Sequence, residues 1–211
     1  MTRMDVRGGA LPSRPYDGTR RRVAAHERRQ RIAAAAAELF LEHGWTGTTM
    51  GEVARRADVS TDLVSGAFGG KPGLLMAAFR HAGFGERANV REALASLRLD
   101  DEPDLDVRLE WVVDLACRVM PGMAPFLEVL RVAGDQDADL RVLVMVAEDS
   151  FSATAAEVVR LIAPGEAPPD AADEVYQLLL AETYLTFTRS RGWSDERYRA
   201  WLSRSLAAAV R

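Results

Sequence analysis

The chain has 211 residues, 48% of them apolar, which is enough to bury sizeable cores and excludes disorder throughout. One cysteine, Cys117, and three scattered histidines, His26, His43 and His81, exclude a disulfide framework and offer no metal-ligand spacing, so neither a metal nor any other cofactor is expected. The formal net charge of −4 hides an asymmetry, because 13 Arg/Lys meet 8 Asp/Glu through residue 85 and 14 meet 23 beyond it.

A basic front followed by an acidic body can neutralise phosphates at one end and keep the remainder off a duplex, so the total charge does not argue against nucleic acid. No apolar run reaches membrane-spanning length, and the arginine-rich N-terminus carries no hydrophobic signal segment. A cytoplasmic protein without a membrane partner is expected.

Residues 1–22 combine Gly8, Gly9, Pro12, Pro15 and Gly18 with Arg14, Arg20, Arg21 and Arg22 and show no apolar period, which reads as a flexible basic arm. Ile32, Ala36, Leu39, Phe40 and His43 then recur at helical spacing, and five consecutive alanines add propensity. The pattern predicts a first helix from about His26 to His43, stopped by Gly44. Thr49 and Glu52 have the spacing of a capping box, opening a short second helix to about Ala57. Its apolar side is Met50, Val53, Ala54 and Ala57.

Asp58 falls at a turn and tolerates the left-handed conformation. Ser60 caps a third helix, with Asp62 in its first turn, that ends at Gly69-Gly70. Lys71-Pro72 opens a fourth, whose inner face carries Leu74, Leu75, Ala78, Phe79 and Ala82. The acidic stretch 100–104 reads as a loop. Helices follow at roughly 105–119, 123–133, 138–163, 170–190 and 195–210, punctuated by Pro121-Gly122, Gly134-Asp135, Pro164-Gly165 with Pro168-Pro169, and Gly192. With no strand pattern and no internal repeat, the expected fold class is all-α.

Two short helices joined by a tight turn have the form of a helix-turn-helix, although the same corner occurs in helical proteins with no DNA role. The surrounding residues are more specific. Arg31-Ile32, Ala36, Leu39-Phe40, His43-Gly44-Trp45, Thr48-Thr49, Val53-Ala54, Ala57-Asp58-Val59-Ser60, and Phe68 followed by Lys71 and Leu74-Leu75, make residues 28–79 resemble the DNA-binding domain of the TetR family. Arg14-Pro15-Tyr16-Asp17 and Phe68-Gly69-Gly70-Lys71 look like a subset with a long basic extension. Beyond residue 85 only the family's general helical layout is similar.

The resemblance implies three parts: the arm at 1–22, a helix-turn-helix DNA-binding domain at 23–70, and a helical effector-binding and dimerisation domain at 71–211. It also implies a homodimer on double-stranded, palindromic operator DNA, released by a small-molecule effector of unknown identity and acting as a repressor. The third helix would enter the major groove while the ends of helices two and four touch phosphates. The candidate DNA-binding residues are Arg20, Arg21 and Arg22 on the arm, Thr48, Thr49 and Lys71 at helix starts, and Ser60, Thr61, Asp62, Ser65, Gly66 and Ala67 on the reading helix.

Thr49 is either a cap alone or a cap that also holds phosphate, and Asp62 either complements the helix dipole or accepts from a cytosine amino group. Lys71 is the sole lysine beside 26 arginines. Its compact ammonium suits a phosphate as a point charge, unless it is a chance survivor on a solvated helix end. The third helix departs from the family pattern. Leu63, Ser65, Gly66 and Ala67 stand where relatives carry an aromatic and a larger polar or basic residue, so affinity is expected to lean on the basic arm.

Trp111, Leu115, Met120, Met123, Phe126, Leu130, Met145 and Phe151 are candidate effector-binding residues, or else ordinary core. Tyr176, Leu179, Leu180, Thr183 and Phe187 form one stripe and Trp201, Leu202, Ser205 and Leu206 another, which could pair with a second copy or pack within the chain. Two rivals remain. One is a helical small-molecule or lipid-binding protein with a degenerate DNA-binding head. The other is an enzyme, but Asp135, Asp137 and Asp139 lie beside no histidine, nucleophile or phosphate loop, so no catalysis is expected.

Overall fold

The computed structural model describes residues 18–85, 87, 89–165 and 167–211. Among these residues eleven helices follow in chain order: α1 Gly18–Gly47, α2 Met50–Arg56, α3 Thr61–Phe68, α4 Lys71–Phe84, α5 Val90–Ala95, α6 Leu105–Met123, α7 Phe126–Gln136, α8 Ala138–Ile162, α9 Ala171–Leu178, α10 Ala181–Leu185 and α11 Asp195–Ala209. A 3-10 turn at Leu99–Asp101 interrupts the acidic loop, and a π turn at Thr186–Ser190 extends α10. No strand occurs among the described residues, and the fold is all-α as the periodicity predicts.

The first helix starts earlier than expected. Arg20, Arg21 and Arg22 lie on α1 rather than on an irregular arm, because arginine, alanine and glutamate are good helix formers and nothing from Thr19 to Glu42 interrupts them. Residues 1–17 of the expected arm lie outside the described residues. Gly44 takes φ 69° and ψ −174°, a non-helical conformation open to glycine, and so kinks α1 where the sequence places its stop.

A first core gathers Ile32, Phe40, Val53, Val64, Leu74 and Leu75 from α1–α4, and it is completed by Phe126, Val129, Ala133 and Leu140 from α7 and the start of α8. Packing therefore does not divide at residue 70. The Thr46 hydroxyl also donates to Oε1 of Gln136 across 3.3 Å, adding a polar tie between α1 and α7. A second core joins α6, α8, α9 and α11 through Val112, Ile162, Val175, Tyr198, Leu202 and Leu206. Between them a smaller cluster of Phe84, Val119, Met120, Met123 and Ala181 links α4 to α6 and α10.

Two segment boundaries differ from the sequence reading. α6 runs through Pro121-Gly122, since a proline two residues from the helix end sacrifices only one backbone bond. Gly122 is needed there for another reason: a Cβ at this position would sit 1.9 Å from the Ala82 carbonyl oxygen, so α4 and α6 touch backbone to backbone. The single helix expected over 170–190 is instead broken at Leu180, whose ψ of 140° is extended. Neither glycine nor proline marks that break. It coincides with the burial of Leu179 in the second core and of Ala181 in the third, an override of local propensity by packing.

Candidate nucleic-acid interface and effector cavity

The corner of α2 and α3 is fixed by its caps. The Thr49 hydroxyl oxygen accepts from the Glu52 amide at 3.2 Å, while the Glu52 carboxylate accepts from the Thr49 amide at 3.0 Å and from its hydroxyl at 2.8 Å. These bonds hold the Glu52 carboxyl below its ordinary range, with His43 and Arg55 adding to the effect. Asp58 adopts φ 54° at the turn, and the Ser60 hydroxyl oxygen accepts from the Leu63 amide at 3.3 Å. Gly69, at φ 69°, ends α3 in the left-handed conformation, its amide donating to the Ser65 carbonyl at 2.9 Å.

α3 buries Val64 and Phe68, which leaves Ser60, Thr61, Asp62, Ser65 and Gly66 exposed on its outer side. Ala67 is half-buried, and its carbonyl accepts from the Arg29 guanidinium. That guanidinium also lies 4.6 Å over the Phe68 ring. A cation at the C-terminal end of α3 satisfies an otherwise orphaned carbonyl and suits the helix dipole. Sequence reasoning missed Arg29, and no local signal could have found it, because its partners lie 38 residues away.

Two nominated phosphate contacts are otherwise engaged. Thr48 is 1% exposed, and its hydroxyl is directed at the carbonyls of Leu39 and Gly44, each at 2.9 Å, so it secures the end of α1. The Lys71 ammonium donates to the Trp45 carbonyl and sits 4.4 Å over the Trp45 ring, which makes it a brace between the start of α4 and the end of α1. Partial burial pulls its pKa down. The other end of this helix pair is electropositive. His26, Arg29, Arg80, His81 and Arg87 line a groove between α1 and α4, where burial and the nearby Arg29 lower the Arg80 pKa.

In the body, Leu115, Met120, Met123, Leu130 and Phe151 line one or both of two cavities, while Trp111, Phe126 and Met145 line neither. Trp111 packs on the second core, Phe126 is fully buried edge-on to Phe79 at 6.0 Å, and Met145 is 59% exposed. The cavities are a narrow apolar crevice of about 40 Å³ between α5, α6 and α8, and a groove of about 220 Å³ bounded by α4, α6, α7, α8 and α9. No group of three metal-ligating side chains occurs among the described residues.

The two stripes nominated for pairing are largely spent within the chain. Leu202 and Leu206 are fully buried and Leu179 nearly so. Phe187 stacks on Trp193 at 4.3 Å and leans on Trp201 at 4.4 Å, while the Thr183 hydroxyl donates to the Gln177 carbonyl at 2.7 Å. Tyr176 and Leu180 face the groove, and Ser205 is half-buried. Periodicity marks an apolar face without saying which surface covers it. Of the six large apolar side chains exposed among the described residues, Val23 and Leu41 lie apart on α1, while Val142, Leu143, Met145 and Val146, 38–60% exposed, cluster on α8.

Residues 32–78, spanning the kinked end of α1, the α2–α3 corner and most of α4, match the family model for bacterial regulatory proteins of the tetR family. Over this stretch the chain is similar to the DNA-binding domain of the tetR family. Over 54 residues it is 46% identical to the HTH-type transcriptional regulator BetI of Burkholderia thailandensis, covering 26% of this chain and 28% of that relative. The BetI of Burkholderia cenocepacia matches to the same extent. The chain thus spans little more than a quarter of the length of the curated relatives it matches.

Solved structures extend the likeness of fold over most of the chain. A transcriptional regulator from Pseudomonas aeruginosa superposes with a TM-score of 0.65 at 16% identity, covering 91% of this chain and 94% of that one. NalD, the secondary repressor of the MexAB-OprM multidrug efflux pump in the same organism, gives a TM-score of 0.58 at 19% identity, covering 88% and 98%. Among the described residues no helix is long and apolar enough to cross a membrane.

Proposed function

We propose that this protein is a tetR-family DNA-binding transcriptional regulator that reads a palindromic operator as a homodimer and is released by a small organic effector. The observation that carries the reading is the outer edge of α3. Ser60, Thr61, Asp62, Ser65 and Gly66 stand exposed on a helix held at its start by the Ser60 cap and at its end by Arg29. A reading element must be rigid to pay little ordering entropy on binding, and this one is tied at both ends.

Pairing is supported by the apolar stripe on α8, since large apolar side chains gathered on one helix face favour a covered surface. Release follows a shift of population. α4 carries the Lys71 brace at its start and cavity-lining Met76 and Phe79 further along, so an effector that fits better when α4 is displaced lowers DNA affinity by that differential. Repression is the default sign, because a bound dimer obstructs polymerase.

A gel shift on the DNA upstream of its own gene, repeated across salt concentrations and joined to footprinting, tests the reading. Protection of two symmetric half-sites with a steep salt slope is expected. The absence of a basic side chain on α3 favours a second reading, a helical small-molecule carrier with a degenerate head. Failure to bind duplexes even in dilute salt would select it.

A further inference from the structure

Building on the assignment of the α4–α9 cavity as the effector site, we propose that its ligand is an amphipathic organic cation, a bulky apolar body bearing a positive head. Met120, Met123, Phe151 and Leu179 line both the crevice and the groove, which makes the two one continuous apolar surface. Among the described residues Thr154 supplies the only hydroxyl on the crevice wall, and that hydroxyl already donates to the Ser150 carbonyl at 2.9 Å. The interior therefore selects for greasy bulk and offers an anion no donor.

Among the described residues charge is supplied only at the groove. Glu148 on α8 and Glu182 on α10 line it, both exposed, and neither forms an ion pair with another described residue. Among the described residues no lysine, arginine or histidine lines either space. A carboxylate or phosphate entering here would lose water beside two carboxylates with no counter-charge, an arrangement that rejects it. A cation meets the opposite situation. The carboxylates attract its head, the faces of Phe79, Phe151 and Tyr176 favour positive charge, and methionine side chains adapt to its body. The acidic rest of the chain, with 23 Asp/Glu against 14 Arg/Lys beyond residue 85, draws cations toward the groove.

Tetraphenylphosphonium and tetraphenylborate share shape and differ in sign, so titrating each into the full-length protein by calorimetry isolates the charge preference. The phosphonium should bind at least about tenfold tighter, and the Glu148→Gln/Glu182→Gln double variant should weaken it about fivefold to tenfold without weakening the borate. Both glutamates are exposed, so the variant is expected to fold as the parent does. The phosphonium should also release operator DNA from the parent protein. Borate binding as tight as the phosphonium's, or a double variant indifferent to the substitution, would overturn the inference. An absence of DNA binding would count against the regulator reading alone, because the calorimetric preference is measured without DNA.

Discussion

Gly122→Ala adds one methyl group where α6 crosses α4, and its consequence can be worked from the crossing itself. The new Cβ would lie 1.9 Å from the Ala82 carbonyl oxygen and 2.8 Å from its carbon, both backbone atoms that cannot rotate aside. Contacts below 3.0 Å are essentially never seen for real Cβ atoms, so the two helices must part by roughly 1 Å or more. Overpacking of this kind costs about 1–3 kcal/mol, which for a chain of this size lowers Tm by about 2–4 °C per kcal/mol. α4 has 14 residues, about 21 Å at 1.5 Å each, so a 1 Å displacement at its far end tilts it by roughly 3°.

Gly83→Ala is the matched control. Its Cβ would meet Cγ and Sδ of Met123 at 2.4 and 2.6 Å, atoms of a flexible side chain that can take another rotamer. Thermal denaturation and operator affinity, measured on both variants, should show a lower Tm and altered DNA binding for Gly122→Ala and a much smaller change for Gly83→Ala. Equal Tm values for the parent and Gly122→Ala would refute the claim that this backbone crossing sets the position of α4.

Lys71→Met keeps the aliphatic stem and removes both the bond to the Trp45 carbonyl and the charge over its ring, so a loss of about 1–2 kcal/mol in urea unfolding is expected, with tryptophan emission altered. Thr49→Ala removes the capping box and should cost about 1 kcal/mol by the same measurement. The parent should also lose stability in acid. Because the folded-state pKa of Glu52 is lowered, its contribution is present above its ordinary value of 4.5 and disappears as pH falls through the lowered value; in Thr49→Ala this part of the profile should flatten. Met145→Glu, at a side chain 59% exposed, should leave the monomer's Tm unchanged and shift sedimentation toward monomer.

The sequence made the reading head legible because its signals are local. Thr49 and Glu52, Asp58, Ser60 and Gly69-Gly70 each act within four residues, and the structure puts a cap, a turn or a stop at every one. Family resemblance carried the rest of the head. Long-range partners were not legible. In the sequence Lys71 resembles a phosphate contact because nothing near it points to Trp45, and Thr48 does so because its acceptors include Leu39, nine residues back. In the body, periodicity identified apolar faces such as the Leu202–Leu206 stripe but left open whether water, a ligand, a second copy or the chain's own core lies against them. The break at Leu180 has no local cause and was invisible for the same reason.

The shared core beneath α1 limits what can be recombined. Phe126, Val129, Ala133 and Leu140 fill the floor beneath α1–α4, although they follow α4 by more than forty residues. A chimera spliced at residue 70 would graft helices whose underside is shaped for a floor left behind in the donor. Carrying α7 and the first turn of α8 along with α1–α4 should restore the fit, and makes that longer segment the natural unit for engineering new specificities.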